Sequence, residues 1–170
     1  MRIMKRLLLT AGTVLLVLVL LLVLVGLGAG QAGWLRGQAP GDLGVKGGKL
    51  KAPSTTPNSV SSQADLWPGH PRQADARIAP LAVAGEPAVA MARVKAAVQS
   101  TPGAVVVKAE GDYLYAQFTT PLMRYTDDVE FWFDRPAGVV QVRSASRLGQ
   151  SDIGANRQRV EALRARFSAP

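Results

Sequence analysis

Cysteine is absent from the chain and histidine occurs once, as His70. Without thiols there is no disulfide, no thiol nucleophile, no thiolate metal site and no lipidated N-terminal cysteine. A lone histidine excludes a histidine-rich metal centre. It also leaves Ser61 and Ser62 without a base for nucleophilic catalysis, because His70 falls between Pro68 and Pro71 in an irregular stretch. No pattern in the chain calls for a cofactor. Charge is missing altogether from residues 7–29, LLLTAGTVLLVLVLLLVLVGLGA.

That run decides where the rest of the chain works. As a helix it reaches about 34 Å, enough to cross a hydrocarbon core of ~30 Å. Arg2, Lys5 and Arg6 precede it, so the positive-inside rule keeps the N-terminus cytoplasmic and sends the remainder across the membrane. The alternative is a cleaved leader, with Gly30-Gln31-Ala32 as a small-x-small site. The apolar run is longer than such leaders carry, and a retained anchor is the preferred reading. Gly26 and Gly30 form a GxxxG pair near the end of the span, which reads as small residues at a helix exit rather than as a dimer face.

The chain has 20 basic and 12 acidic residues. Setting aside Arg2, Lys5 and Arg6 leaves 17 basic residues and a charge of about +5 beyond the span. A basic domain beside a membrane suits anionic lipid, a cell-wall polymer or an acidic envelope protein. Ordinary solubility charge explains the same balance, and the export signal argues against nucleic acid. The expected division is a cytoplasmic N-terminus (1–6), a transmembrane anchor (7–29), a Gly/Pro-rich linker (30–57) and one soluble domain (58–170). Six glycines from Gly33 to Gly48, with Pro40, Pro53 and Pro57, make the linker flexible. Trp34 and Leu35 suit the lipid interface.

Periodicity supplies the elements. Pro87 opens a helix whose Met91, Val94 and Val98 share a face, and Ser100-Thr101-Pro102-Gly103 ends it. A short extended piece is expected within Ile78–Val83. Ala104–Glu110 and Tyr113–Thr120 flank a Gly111-Asp112 turn. Pairing Glu110 with Tyr113 sets Ala109 against Leu114, Val107 against Ala116 and Val105 against Phe118. A second hairpin joins Asp127–Asp134 to Val139–Ser146. It sets Phe133 against Val140 and Phe131 against Val142 on one face, and Glu130 against Arg143 and Trp132 against Gln141 on the other. Both registers separate apolar from polar side chains. A last helix, capped by Ser151 or Asp152, presents Ile153, Val160, Leu163 and Phe167 as one stripe flanked by Arg157, Arg159, Arg164 and Arg166. The expected fold is α+β: a four-stranded antiparallel sheet with both helices on one face.

The tail from Arg143 to Arg164 (RSASRLGQSDIGANRQRVEALR), with Asp127-Asp-Val-Glu-Phe131 and Pro57-Asn-Ser-Val-Ser-Ser-Gln63, resembles the domain-of-unknown-function-1499 family over roughly residues 41–167. The resemblance implies an exported or membrane-anchored bacterial protein. It brings no agreed activity and no catalytic residues. It also implies cysteines where this chain has Ala52 and Ser59, so any role needing those thiols is lost here, most simply a dispensable loop staple.

The polar sheet face is the first candidate site. It gathers Tyr113, Tyr115, Asp128, Glu130, Trp132, Arg143 and Arg147, joined by Lys108, Gln117 and Gln141. Aromatics among charges stack on sugar rings or hold a peptide. A solvated face laced with cross-strand pairs such as Glu130–Arg143 accounts for the same residues. The second candidate is an anion site formed by Arg143, Ser144, Ser146, Arg147 and Arg157 at the start of the last helix, where Asp152 competes for the free N–H groups. Asp127, Asp128 and Glu130 do not read as a metal site, since alternation splits them between faces and arginines stand close. Those arginines are expected to lower the carboxyl pKa values, which disfavours a general acid.

The sequence therefore describes an inner-membrane protein of bacteria with a periplasmic or otherwise extracytoplasmic domain, acting as a ligand- or protein-binding module of the cell envelope. An envelope hydrolase using the acid and arginine surface is the alternative.

Overall fold

A computed structural model describes residues 2–168; Met1 of the expected cytoplasmic segment and residues 169–170 of the expected domain lie outside them. Arg2–Gln31 form one helix, α1, long and apolar enough to cross a membrane. Thr10 and Thr13 do not interrupt it, because each hydroxyl donates to the carbonyl four residues earlier, Arg6 and Leu9, at 2.9 Å.

The chain then forms β1 (Ser59–Ser61), a 3₁₀ turn at Ala64–Leu66, α2 (Gln73–Ala76), β2 (Leu81–Ala82) and α3 (Pro87–Gln99). After these come β3 (Ala104–Glu110), β4 (Tyr113–Thr119), β5 (Thr126–Asp134), β6 (Val139–Ser146) and α4 (Ala155–Ser168). The architecture is α+β around an antiparallel sheet. The sheet has six strands rather than the expected four, in the order β1-β6-β5-β4-β3, with β2 also on β6. The two additions are strands of three and two residues on the β6 edge. Ser-Val-Ser is too short and too polar to show a period.

Proline begins α3 at the first helical turn, as its missing N–H allows. The helix buries Ala90, Met91, Val94, Ala97 and Val98, and α4 buries Val160, Leu163 and Phe167. Both stripes meet Leu114, Ala116, Phe118, Val129, Phe131, Phe133, Val140 and Val142 in one core. Ile153 does not join the stripe. It precedes α4, has a left-handed backbone (φ 52°) and is 91 % exposed. Asn156 takes the inward position instead and is fully buried.

The β5–β6 register is the expected one along its whole length, from Asp134 opposite Val139 to Glu130 opposite Arg143. The β3–β4 register holds only near the turn. A bulge between Val106 and Lys108 shifts the pairing, so Val106 lies opposite Ala116 and Ala104 opposite Phe118. Alternation carried past a bulge puts the wrong residues inside: Val105 and Val107 are exposed, while Ala104 and Val106 pack on the core.

In detergent-solubilised chain, Phe131→Ala is expected to cost about 3–5 kcal/mol by denaturant titration. Val105→Ala should stay within about 0.5 kcal/mol of the parent; a large loss there would restore the unbulged register.

Candidate functional site

β5 lies at the middle of the sheet and carries Asp127-Asp128-Val129-Glu130. Alternation sends Asp127 to the helix side and Asp128 and Glu130 to the opposite side. All three are buried, with exposures of 5 %, 1 % and 0 %. Each faces an arginine. Asp127 pairs with Arg159 of α4. Asp128 receives Arg147 through Nε at 2.9 Å and Nη2 at 2.7 Å, a two-point grip, and accepts the Tyr115 hydroxyl at 2.6 Å. Glu130 lies 3.8 Å from Arg143.

The face expected to meet solvent is covered. The Gly/Pro-rich stretch read as a linker runs across it as a strap, and the face's side chains satisfy the strap's backbone. Glu130 Oε1 accepts the Gly44 N–H (2.7 Å) and the Tyr113 hydroxyl (2.8 Å). Gln63 accepts the Leu50 N–H at 2.8 Å and donates to the Gly48 carbonyl at 3.0 Å. Arg143 Nε donates to the Ala52 carbonyl at 3.0 Å. Ser59 Oγ accepts the Ser54 N–H at 2.8 Å. Leu50 is 1 % exposed beneath this roof. Trp132 lies beside Gly48 at the strap's turn and is half-buried. The candidate face thus brings together Tyr113, Tyr115, Asp128, Glu130, Arg143 and Arg147, as a packed polar layer with Trp132 at its edge.

Burial also reverses an electrostatic expectation. The Glu130 carboxyl is raised above its ordinary value, not lowered. Desolvation is the largest influence; the Gly44 N–H, the Tyr113 hydroxyl and Arg143 oppose it without prevailing. The same desolvation lowers Arg143, and a gap of 3.8 Å leaves the pair too loose to offset it. Among the described residues, Glu130 Oε2 and Arg143 Nη1 have no hydrogen-bond partner. Tyr113 is pushed far up by burial and then by Glu130.

The five residues of the anion candidate do not converge. Arg143 and Arg147 point to the strap side, while Ser144 and Ser146 point to α4 and bond Asn156. Arg157 donates to the Asp75 and Arg77 carbonyls. Asp152 accepts the N–H groups of Gly154 (3.0 Å) and Asn156 (2.9 Å). Burial works to raise its carboxyl, but these bonds outweigh it and hold Asp152 below the ordinary range.

Three buried polar residues carry roles that periodicity did not mark. Asn156 joins Ser144, Ser146, Asp152 and the Asn58 carbonyl. Asn58 donates to the Gly149 carbonyl, and Gln63 serves the strap. An asparagine four residues before Val160, on the apolar stripe, is the one sequence signal that pointed here.

Two hollows open near these networks. One, of about 390 Å³, lies between Leu43 and Val45 of the strap and Lys108, Tyr113 and Tyr115. The other, of about 450 Å³, lies at the far end of β5 between Leu35, Tyr125, Leu148 and Ile153, with Asp127 and Ser146 deeper.

The raised Glu130 carboxyl fixes the sign of a pH effect. The native state favours its protonated form, so its stabilising contribution is full below about pH 4.5, its ordinary value, and is lost as pH rises through the raised one. Glu130→Gln keeps an oxygen acceptor for Gly44 and Tyr113 but cannot ionise. The stability of the parent relative to this variant should therefore fall as pH rises above about 4.5. Parallel pH dependences in the two proteins would show that Glu130 titrates normally.

Comparison with curated proteins and with solved structures gives no match. Residues 49–167 match the family described as "Protein of unknown function (DUF1499)". The match runs from the turn of the strap through all six strands to Phe167 in the last turn of α4. The resemblance seen in the tail and in the Asp127 and Pro57 motifs thus extends across the sheet and both of its covering helices, and the chain belongs to the DUF1499 family of proteins of unknown function.

Proposed function

We propose that the chain is a bitopic protein of the bacterial inner membrane. Arg2, Lys5 and Arg6 stay in the cytoplasm, and residues 58–170 form a domain on the extracytoplasmic side. There it acts as a ligand- or protein-binding module of the cell envelope. The charge-free helix and its basic flank support the topology.

The hollow beside the strap is the observation that carries the binding reading. Tyr113 and Tyr115 form an aromatic wall, the strap supplies Leu43 and Val45, and Lys108 stands at the rim with its side chain half exposed. Lys108 pairs with Glu110 at 3.0 Å, so the rim sets aromatic faces beside an exposed ion pair, which suits a sugar ring or a peptide whose acidic group takes the place of Glu110. A cell-wall polymer and an acidic envelope protein both have that chemistry. Behind the wall the carboxylates are engaged, Asp128 by Arg147 and Glu130 by the strap. The hydrolase alternative has a raised Glu130 carboxyl in its favour, as a general acid needs, and against it the full burial of that side chain beneath the strap.

Topology is tested with an export-dependent reporter fused to the C-terminus. The reporter should be active and the chain should resist carbonate extraction; a soluble product beginning near residue 33 would establish a cleaved leader instead.

Binding is tested by placing a photo-reactive amino acid at Val45 in intact cells. A discrete adduct is expected, and Lys108→Glu should reduce it several-fold. Adducts indifferent to Lys108, or none from residues 43–45, would count against this hollow. Glu130→Gln separates the alternative, since a hydrolase would lose turnover while keeping its adduct.

A further inference from the structure

The end of the domain nearest α1 carries exposed apolar surface outside the core. The β4–β5 connection packs directly on the helix. A Cβ at Gly30 would lie 2.7 Å from the Met123 carbonyl oxygen, and one at Gly26 would lie 3.8 Å from the Met123 methyl carbon. Gln31 Nε2 donates to the Pro121 carbonyl at 3.2 Å and to the Leu122 carbonyl at 2.9 Å. The two glycines of the GxxxG pair are therefore a notch for Met123. Gly26 belongs to the charge-free run, and four helical residues rise only about 6 Å. When α1 crosses a bilayer, the 120–125 loop lies at the depth of the last turn of the span, where acyl chains meet headgroups.

The surface around that loop has the composition this depth requires. Trp34 is 79 % exposed, Leu122 62 % and Ile153 91 %. Arg36 and Arg124 stand among them, at the level of lipid phosphates. Among the described residues, Arg124 (φ 60°) and Ile153 (φ 52°) are the non-glycine residues with left-handed backbone, and both are on this end. That conformation is costly for a β-branched residue, and at Ile153 it turns an apolar side chain outward at the edge of a hollow. Between these residues opens the hollow of about 450 Å³, with Leu35, Tyr125 and Leu148 on its walls and more apolar than polar surface inside. Its volume is that of a small-ligand site. Leu35 follows the span by only a few residues, which puts this hollow close to the end of α1.

We propose that this end of the domain is seated in the leaflet beside α1 and that the hollow takes one acyl chain of a lipid from that leaflet. The inference rests on the reading that α1 spans the membrane. It makes the domain a reader of the bilayer as well as its passenger.

The absence of cysteine makes a clean test possible, because each introduced thiol is unique. Full-length chain carrying Ile153→Cys, Leu122→Cys or Ala137→Cys is labelled with a nitroxide and reconstituted in phosphatidylcholine vesicles. At positions 153 and 122 dissolved oxygen should relax the label more than a water-soluble nickel chelate does. At position 137, in the turn at the opposite end of the sheet, the order should reverse. In parallel, phosphatidylcholine with a diazirine at the chain end should label peptides 120–126 and 146–155, and Ala155→Trp, which fills the hollow, should cut that labelling several-fold. Water-like accessibility at 153, or labelling confined to α1 and unchanged by Ala155→Trp, overturns the inference. If carbonate still fails to release the chain, the anchor reading survives that result; release by carbonate removes both.

Discussion

Three carboxylates within four residues of the central strand, each buried and each facing an arginine from a different part of the chain, hold the layers of this protein in place. Asp127 reaches Arg159 of the last helix, Asp128 reaches Arg147 beyond β6, and Glu130 stands opposite Arg143 within β6. Such pairs add little net stability over an apolar core, because desolvation offsets the attraction. Their effect is on uniqueness. A shift of β5 by one residue would send two carboxylates into the apolar core and leave the facing arginines unpaired, which is far worse than losing a packing contact. Register, helix placement and strap position are fixed by one short stretch.

The strap completes that arrangement. A Gly-rich segment lying on a sheet has backbone groups that need partners. Here Glu130, Gln63, Ser59 and Arg143 provide them one at a time, through side chains rather than a strand ladder. The family resemblance implies thiols at Ala52 and Ser59. In this chain Ser59 holds the strap by a hydrogen bond to Ser54, and the Ala52 carbonyl rests on Arg143. The strap forms one side of the hollow at Tyr113 and Tyr115, so Leu43 and Val45 set that hollow's shape.

Some of this was legible in the residues alone. The β5–β6 hairpin was, because Phe131, Phe133, Val140 and Val142 alternate without interruption against Glu130, Trp132, Gln141 and Arg143. The first hairpin was legible only as far as the bulge, since three consecutive valines satisfy either register. The strap was not legible. Its glycines carry no period, and its anchoring points are backbone atoms that any sequence possesses. The polar face was recognised as a group, but its burial was not, because a face roofed by a loop has the same alternation as one open to water. Ile153 sits at helical spacing from Val160, yet the left-handed turn before α4 takes it out of the stripe.

The pairing of β1 with β6 joins residues near 60 to residues near 144, the longest link in the sheet. The two hairpins are local and can form early, whereas this edge cannot close until β6 has been made. The strap precedes β1 and draws its partners from β5 and β6, so it also must wait. Asp128 and Glu130 stay wet until the strap, made early, folds back over the later-made strands. Completion of the fold and dehydration of its central charges are therefore one late event, and a chain interrupted before β6 is left with an open, charged sheet face.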